Sequence, residues 1–188
     1  KKSVLLVPEQ FSSSAESMVY AALGDGLGAY AEVYSFKSYA EKVLKTHGGV
    51  AVATLSDAAR TVAVRRAMDS LGDAVQLYRR HRRGVRFCNL CAQAIEELKT
   101  AGAAPQDLVA IGEAEGADGE KLRELGLVFA AYEKVIEKSA MDPSDRLLLA
   151  ARSLPAAELA DTAVFLDDFD GFTQPQYALL DAFLQAES

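Results

Sequence analysis

The stretch VFLDDFDGFTQPQ, residues 164–176, decides how the fold is interpreted. Its first residues, with Ala163, form a short apolar segment that is polar on neither face, which is typical of a strand buried in a parallel sheet. Asp167 and Asp168 follow at once, and the Thr-Gln-Pro-Gln sequence at 173–176 resembles a capping box that opens a last helix. A strand, an acidic loop and a helix in this order indicate an α/β layer.

The start of the chain has the same organisation. Residues 4–7 form a continuous apolar run that stops at Pro8, and residues 31–35 form a second candidate strand. A helical stripe follows each strand and ends in glycines: Ala15, Met18, Val19, Ala22 and Leu23 before Gly24, Gly26 and Gly28, then Tyr39, Ala40, Val43 and Leu44 before Gly48 and Gly49. Strand, helix, strand, helix predicts the start of a doubly wound parallel sheet.

A long helical block separates these two parts. From Ser56, a candidate N-cap, to about Ser153 no segment has the pattern of a strand, and Asp142 before Pro143 is typical of a helix start. Two apolar helical faces are evident: Leu90, Cys91, Ala94, Ile95 and Leu98, then Leu122, Leu125, Val128, Phe129, Tyr132, Val135 and Ile136. The sequence thus predicts an α/β layer over residues 1–55 and 154–188, interrupted by an all-helical insertion over 56–153.

Composition narrows the class of protein. The 188 residues carry a net charge of −7, which disfavours a general nucleic-acid coat but leaves room for a local basic surface. Two cysteines and the absence of a secretory signal indicate a reducing compartment, and no apolar run reaches the roughly 20 residues of a membrane span, so a cytoplasmic location is expected. The chain opens on Lys1 without a Met, so we expect an internal segment of a longer protein.

Asp167 and Asp168 are the first candidate functional residues. Paired acids at the carboxyl end of a buried strand are typical of NTP-hydrolysing domains, in which the first acid holds Mg²⁺ through its water shell. The partner of such a strand, a glycine-rich phosphate loop ending in Gly-Lys-Ser/Thr, is missing from the sequence. The alternative is a pair of solvated acids in a turn, and the motif alone favours that alternative.

Two further loops carry groups suited to nucleobases. Gln10 and Ser12 follow the first strand, and Phe36 and Lys37 follow the second. Amides and hydroxyls bond to base edges, and aromatic rings stack on bases. Each loop alone is better explained by turn and capping chemistry, but both are expected at the same edge of one sheet, which favours a shared binding role.

Two clusters lie in the helical block. Arg79, Arg80, Arg82 and Arg83 are candidate phosphate contacts, with a solvated helix end as the alternative. Cys88 and Cys91 have the CxxC spacing, yet a zinc or iron–sulfur site needs about four ligands. Because Cys91 falls on an apolar helical face and Cys88 near its edge, we interpret both as core thiols.

Four segments in order, LLVPEQFSSSAE, AEVYSFKSYAEKVL, IEELKTAG and VFLDDFDGFTQPQ, resemble the N-terminal region of the AddB (RexB) family over essentially the whole chain. AddB proteins are one half of the AddAB helicase-nuclease, which processes bacterial double-strand DNA breaks. The resemblance implies a RecA-like P-loop NTPase sheet, the 1A domain of a superfamily 1 helicase, interrupted by a 1B-like helical subdomain. It also implies a phosphate loop just upstream, and a second motor domain and an iron–sulfur nuclease downstream.

The resemblance further implies an inactivated motor that binds single-stranded DNA and scans it for the Chi hotspot, while an AddA-type protein drives translocation as the heterodimer partner at DNA ends. Carried onto this chain, the strand-binding residues are Gln10, Ser12, Phe36, Lys37 and one of Phe169 or Phe172. Ser12 stands where Thr is common, and Lys37-Ser38 where Ser-Arg is common, so the sequence that is read is open.

Two other functions stay open at this point. Where the family commonly has Asp-Gly-Phe, this chain has Asp167-Asp168-Phe169, which is closer to an active motor. An ATP-hydrolysing motor with Asp167 as its Mg²⁺ ligand is therefore one alternative, and a helical docking module for the AddA-type protein is another. The fragment itself is expected to be inactive and to hold no cofactor, because Mg²⁺-ATP and the iron–sulfur cluster belong to the parent protein.

Overall fold

The computed structural model describes residues 2–24, 31–48, 54–137 and 141–186. The chain divides into two compact units, one made of residues 1–51 and 145–188 and the other of residues 52–144. Strands β1, β2 and β3 span Lys2–Leu6, Ala31–Tyr34 and Thr162–Leu166. Helices α1 to α9 span, in chain order, Ser12–Leu23, Phe36–His47, Asp57–Leu71, Val85–Thr100, Pro105–Ala114, Glu120–Ile136, Pro143–Ser153, Ala156–Asp161 and Gln174–Ala186.

The first unit is built on a parallel sheet with the strand order β2-β1-β3. β1 lies in the centre, where Leu5 pairs with Val33 on one side and Phe165 on the other. Val4 and Leu6 point to the same face of the sheet and are buried there, whereas Leu5 on the opposite face is partly buried. The prediction of an α/β protein with a parallel sheet is therefore confirmed.

The core of this unit forms between the sheet and the helices after it. The predicted stripe of α2 is confirmed, because Tyr39, Ala40 and Val43 are buried in one cluster with Val4 and Leu6. Residues of α7, α8 and α9 complete the cluster, among them Ala150, Leu159, Leu179 and Phe183. α1 differs, since none of its residues is buried; it ends at Gly24, whose φ of +60° suits a glycine.

Helices make up the second unit, and apart from a single bridge between Thr54 and Met141 no strand lies among its described residues. Ser56 caps α3 as predicted, its Oγ accepting a hydrogen bond from the backbone N–H of Ala59. The core lies between α3, α4 and α6. The predicted face of α4 was wrong at Leu90, which is 54% exposed: Cys88, Cys91, Ala92 and Ile95 form the buried face.

The second compact unit spans residues 52–144, whereas the sequence predicts a helical insertion over 56–153. Asp142 starts α7 as predicted, accepting hydrogen bonds from the backbone N–H and the hydroxyl of Ser144. Most of α7 nevertheless belongs to the first unit, where Ala150 is fully buried against the sheet cluster. Within the described part of the chain, no helix has the length and apolar character to cross a membrane.

Candidate nucleic-acid interface at the sheet edge

The three strands end at one edge of the sheet, because parallel strands share a direction. Two backbone hydrogen bonds join the strand ends: the N–H of Val7 donates to the carbonyl of Tyr34 at 2.9 Å, and the N–H of Asp167 donates to that of Leu6 at 3.1 Å. Residues 7–12, 35–38 and 167–173, which follow β1, β2 and β3, are called the edge loops below. Gln10, Ser12, Phe36, Lys37, Asp167, Phe169 and Phe172 all lie on them.

The first edge loop is a short 3₁₀ turn, Glu9–Phe11, that leads into α1. The Gln10 side chain is exposed and makes no hydrogen bond to any described residue. Ser12 is half-buried, and its hydroxyl donates to the carbonyl of Glu9 at 3.0 Å. Gln10 thus presents a complete amide to solvent, whereas the Ser12 hydroxyl keeps only its acceptor capacity.

The second edge loop is fixed by a capping box, in which Ser35 and Ser38 each accept a hydrogen bond from the other's backbone N–H. This places Lys37 at the surface, with its Nζ 3.3 Å from the Glu9 carboxylate. The same geometry turns Phe36 inward, leaving 6% of it exposed. Lys37 therefore joins the first two edge loops, and Phe36 belongs to the core cluster of the sheet unit.

An aromatic cluster joins the second and third edge loops. The ring centroid of Phe36 lies 5.3 Å from that of Phe169 and 6.0 Å from that of Phe172, and Phe169 and Phe172 are 5.1 Å apart. These are edge-to-face and tilted contacts of ordinary strength. Phe172 also contacts Tyr177 of α9 at 5.6 Å, and Tyr177 is 46% exposed.

Two further aromatic residues lie at this edge, Phe11 at 40% exposed and Tyr177. Phe11 belongs to the same predicted loop as Gln10 and Ser12 but was not a candidate site residue, and Tyr177 was missed. Gln10 and Asp167 belong to amide and acidic motifs with a recognisable pattern, whereas neither Phe11, next to the first turn of α1, nor Tyr177, within that of α9, has a pattern of its own. Both present more ring surface to solvent than Phe36 does. The rings at the edge that are open to a planar ligand are therefore those of Phe11, Tyr177 and the half-buried Phe169 and Phe172.

The charge of the edge loops is mostly negative. Glu9, Asp167, Asp168 and Asp170 are exposed, and Lys37 is the one cation on the three described loops. Such a surface repels phosphate groups unless a cation neutralises it. The Asp167 carboxylate fits a single ligand position of a hydrated Mg²⁺, but no group of three or more metal-binding side chains lies among the described residues. The amide and the rings are therefore the groups best suited to contact an uncharged partner surface.

The other sequence-predicted residues lie in the second unit. Arg79, Arg80, Arg82 and Arg83 lie between α3 and α4. Cys88 and Cys91 are buried free thiols of the helical core, which confirms the interpretation of both as core residues. Burial raises the pKa of the Cys91 thiol to about 12 and also raises that of Cys88. Neither thiol is therefore a ready thiolate ligand at neutral pH.

The fold and this edge define an α/β protein with a parallel sheet, an all-helical insertion and converging loops at the carboxyl ends of the strands. The whole chain, residues 1–188, matches the family described as "ADDB, N-terminal", and it belongs to that family. The resemblance seen in the sequence is thus confirmed.

Several similar proteins are named as the B-type subunit of an ATP-dependent helicase/deoxyribonuclease. The one from Thermoanaerobacter sp. (strain X514) is 30% identical over 185 residues, which is 97% of this chain and 16% of that protein. The one from Acetivibrio thermocellus is 32% identical over 181 residues, or 94% of this chain and 16% of that protein. The one from Desulforamulus reducens is 31% identical over 187 residues, or 96% of this chain and 16% of that protein. The chain spans about a sixth of the length of these relatives.

Proposed function

We propose that this chain is the N-terminal part of an AddB-type protein and that its edge loops bind single-stranded DNA as part of a RecA-like motor domain that no longer hydrolyses ATP. The relatives' name, which describes one subunit of a helicase/deoxyribonuclease, supports DNA as the substrate and a further subunit as the partner. In this proposal an AddA-type protein drives translocation, and the edge loops scan the passing strand for a recombination hotspot of the Chi type.

The convergence of the three edge loops is the observation that carries the proposal. Segments far apart in sequence are joined by the Lys37–Glu9 contact at 3.3 Å and by the Phe36–Phe169 ring contact at 5.3 Å. A strand passing over this edge would meet the amide of Gln10 and the rings around Phe172 together. To read a DNA sequence, a protein needs hydrogen-bonding and stacking groups that contact several bases at the same time.

Contact with bases fits the edge better than contact with phosphates. Asp167, Asp168 and Asp170 would repel a phosphate backbone, but an unpaired strand presents its bases as well as its backbone. The exposed face of Tyr177 suits stacking, and the Gln10 amide suits hydrogen bonds to base edges. Phe36 serves in this proposal as a positioning residue, because its burial holds Phe169 and Phe172 in place.

A measurement of strand binding tests this proposal. The 188-residue chain is titrated against a fluorescently labelled single-stranded 20-mer, and its Gln10→Ala and Tyr177→Ala variants are compared with the control Gln106→Ala, an exposed amide of the other unit. Losing one stacked ring is expected to weaken binding about tenfold, or about 1.4 kcal/mol. Equal affinities for all four proteins would refute strand binding at this edge.

Scanning requires the intact two-subunit enzyme. There we expect Gln10→Ala to shorten pausing at a recognised hotspot while translocation on other DNA keeps its speed. An unchanged pause with Gln10→Ala and Tyr177→Ala together would mean that the hotspot is read elsewhere.

An ATPase motor is the second candidate, and the exposed carboxylate of Asp167 at the end of β3 favours it. Asp167 would hold Mg²⁺ together with water and nucleotide phosphates, and the ion would neutralise charge on the phosphates. ATP turnover by the full-length AddB-type protein separates the candidates. Turnover that Asp167→Ala abolishes supports the motor, and no turnover supports the strand-binding proposal.

A further inference from the structure

The most basic segment of the chain lies in the second unit. Residues 76–86, called the arginine loop below, hold five of the chain's 20 lysines and arginines and no acid, although the whole chain has a net charge of −7. The segment leads from the end of α3 into the first turn of α4. Such a concentration of one charge in an acidic protein marks a place where anions are attracted.

The five arginines divide into two groups. Arg79 lies 3.1 Å from the Asp73 carboxylate, and Arg82 lies 3.9 Å from that of Asp69, so each has an acid beside it. Arg80, Arg83 and Arg86 are exposed and have no acidic partner among the described residues. The guanidinium groups of Arg80, Arg83 and Arg86 therefore keep all their hydrogen-bond donors available for a ligand.

A buried carboxylate fixes the start of the arginine loop. Glu124 of α6 is fully buried and accepts hydrogen bonds from the backbone N–H groups of Gln76, Leu77 and Tyr78, at 2.6, 2.9 and 3.1 Å. Burying a carboxylate is unfavourable unless such bonds compensate it. The chain thus places a charged group in its helical interior, where it holds the backbone immediately before the arginines.

The rest of the loop is held as well. The Tyr78 ring packs against Phe87 at 5.2 Å, and its hydroxyl donates to the carbonyl of Lys121 at 3.0 Å. The Cys88 thiol donates to the carbonyl of Arg82 at 3.2 Å, and the N–H of Gly84 to that of His81 at 2.8 Å. The arginines are thus presented from a backbone with a single defined path, which lowers the entropy lost on binding.

We propose that the arginine loop is a preorganised binding site for the phosphate backbone of a nucleic acid, with Arg80, Arg83 and Arg86 as the contacting residues. Guanidinium groups bind phosphate oxygens in a bidentate manner. Contacts to phosphate carry no sequence information by themselves, so we expect binding that is independent of sequence. It differs in chemistry and in place from the base contacts proposed for the edge loops, and it does not depend on them.

The test compares two triple variants with the same change of charge. One removes Arg80, Arg83 and Arg86 by substitution with Ala, and the control removes Lys45, Lys134 and Arg152, three exposed cations of other elements. Binding of the 188-residue chain to a labelled duplex 20-mer and to a single-stranded 20-mer of random sequence is measured from 50 to 300 mM salt. The two DNA forms distinguish between duplex and unpaired backbone as the source of the phosphates.

We expect the arginine triple to weaken binding at least tenfold and to reduce the slope of log affinity against log salt by about 2 to 3, as for the loss of three phosphate contacts. The control triple should change affinity less than threefold. Equal effects of the two triples would overturn the proposal, because net charge alone would then explain binding. Unchanged DNA binding with lost association to the partner protein would overturn it too, in favour of an acidic protein surface.

A second pair of variants tests the preorganisation. Glu124→Gln makes the chain less negative, so net charge predicts tighter binding, whereas loss of the loop anchor predicts weaker binding. Tyr78→Phe removes the hydrogen bond to the Lys121 carbonyl without changing any charge. It provides the test of the loop anchor if the Glu124→Gln protein does not fold. We expect both to weaken binding about threefold or more in protein that is folded by circular dichroism. Affinity that rises with Glu124→Gln and stays unchanged with Tyr78→Phe would contradict a fixed loop.

Discussion

Asp168 has a backbone conformation that residues with a side chain rarely adopt, with a φ of +62° two positions after the end of β3. Asparagine, aspartate and glycine tolerate this left-handed region best. The left-handed conformation therefore gives a physical reason for an aspartate at this position. The second acid of the motif is therefore explained by the turn, without a role for its carboxylate in catalysis.

Substitutions at Asp168 should follow the backbone. Asp168→Gly is expected to leave the free energy of unfolding unchanged or to raise it by up to about 1 kcal/mol, because glycine has no Cβ to strain. Asp168→Val should lower it by about 2 kcal/mol, because a β-branched residue is strained at a positive φ. Urea unfolding at neutral pH measures both, and equal stabilities for Gly and Val would contradict the explanation.

Buried charged residues are the part of this structure that is hardest to predict from the sequence. Glu124 lies among the apolar residues of α6 and looks like one more surface acid, yet it is fully buried with three backbone donors. Those donors lie nearly fifty residues away, so no local pattern reveals them. Gln10 and Lys37 were accessible to sequence reasoning because strand ends and turns have local patterns.

At the scale of elements, α5 and α6 pack more closely than their sequence suggests. A Cβ on Gly126 would lie 2.8 Å from the carbonyl oxygen of Pro105 and 2.8 Å from Cγ2 of Val109. Glycine lowers helix propensity, so inside α6 it has the appearance of a weak point. The close approach of the α5 backbone explains why a glycine is needed there.

Gly126→Ala therefore tests the packing of these two helices. Helix propensity alone predicts a gain of about 1 kcal/mol, but the clash with α5 should outweigh it and lower the free energy of unfolding by about 1 to 2 kcal/mol. Ala110→Gly, at an exposed position of α5, is the control and should lower stability by about 1 kcal/mol through propensity alone. A Gly126→Ala variant with a higher melting temperature than the original protein would show that α5 shifts to accommodate the added methyl group at little energetic cost.

Local signals predicted helix ends better than helix faces. The cap at Ser56 and the stop at Gly24 rest on backbone chemistry that a few neighbouring residues determine. The face of α4 was misjudged at Leu90 because a single apolar residue can lie on either side of an amphipathic helix. Which side is buried depends on the neighbouring helices, α3 and α6, and not on α4 itself.

At the scale of the whole molecule, the change from strand patterns to helical ones predicted an α/β layer with a helical insertion, and its exact limit was harder to predict. α7 is amphipathic like the helices before it, so its sequence does not say which core it joins. Its Ala150 is buried with the sheet residues. The insertion itself begins and ends at adjacent points, because Leu55 donates a backbone hydrogen bond to Met141 at 3.0 Å.

This arrangement predicts that the insertion folds alone. Residues 52–144 contain a complete core, in which Val64, Val128 and Tyr132 are almost fully buried. Their two ends lie together, as is usual for an inserted domain. Expressed alone, this segment should unfold cooperatively in urea, and Val64→Asp should abolish the transition because an unpaired charge cannot be buried there.

The same fragment separates the two proposed DNA contacts. The fragment 52–144 contains the arginine loop and none of the edge loops. Its affinity for duplex DNA should therefore stay within about threefold of that of the 188-residue chain. Tyr177→Ala in the 188-residue chain should instead weaken binding to single-stranded DNA only. A folded fragment without duplex affinity would show that the arginine loop needs the sheet unit to bind. A fragment that unfolds gradually would instead show that the helical core depends on the sheet unit for its stability.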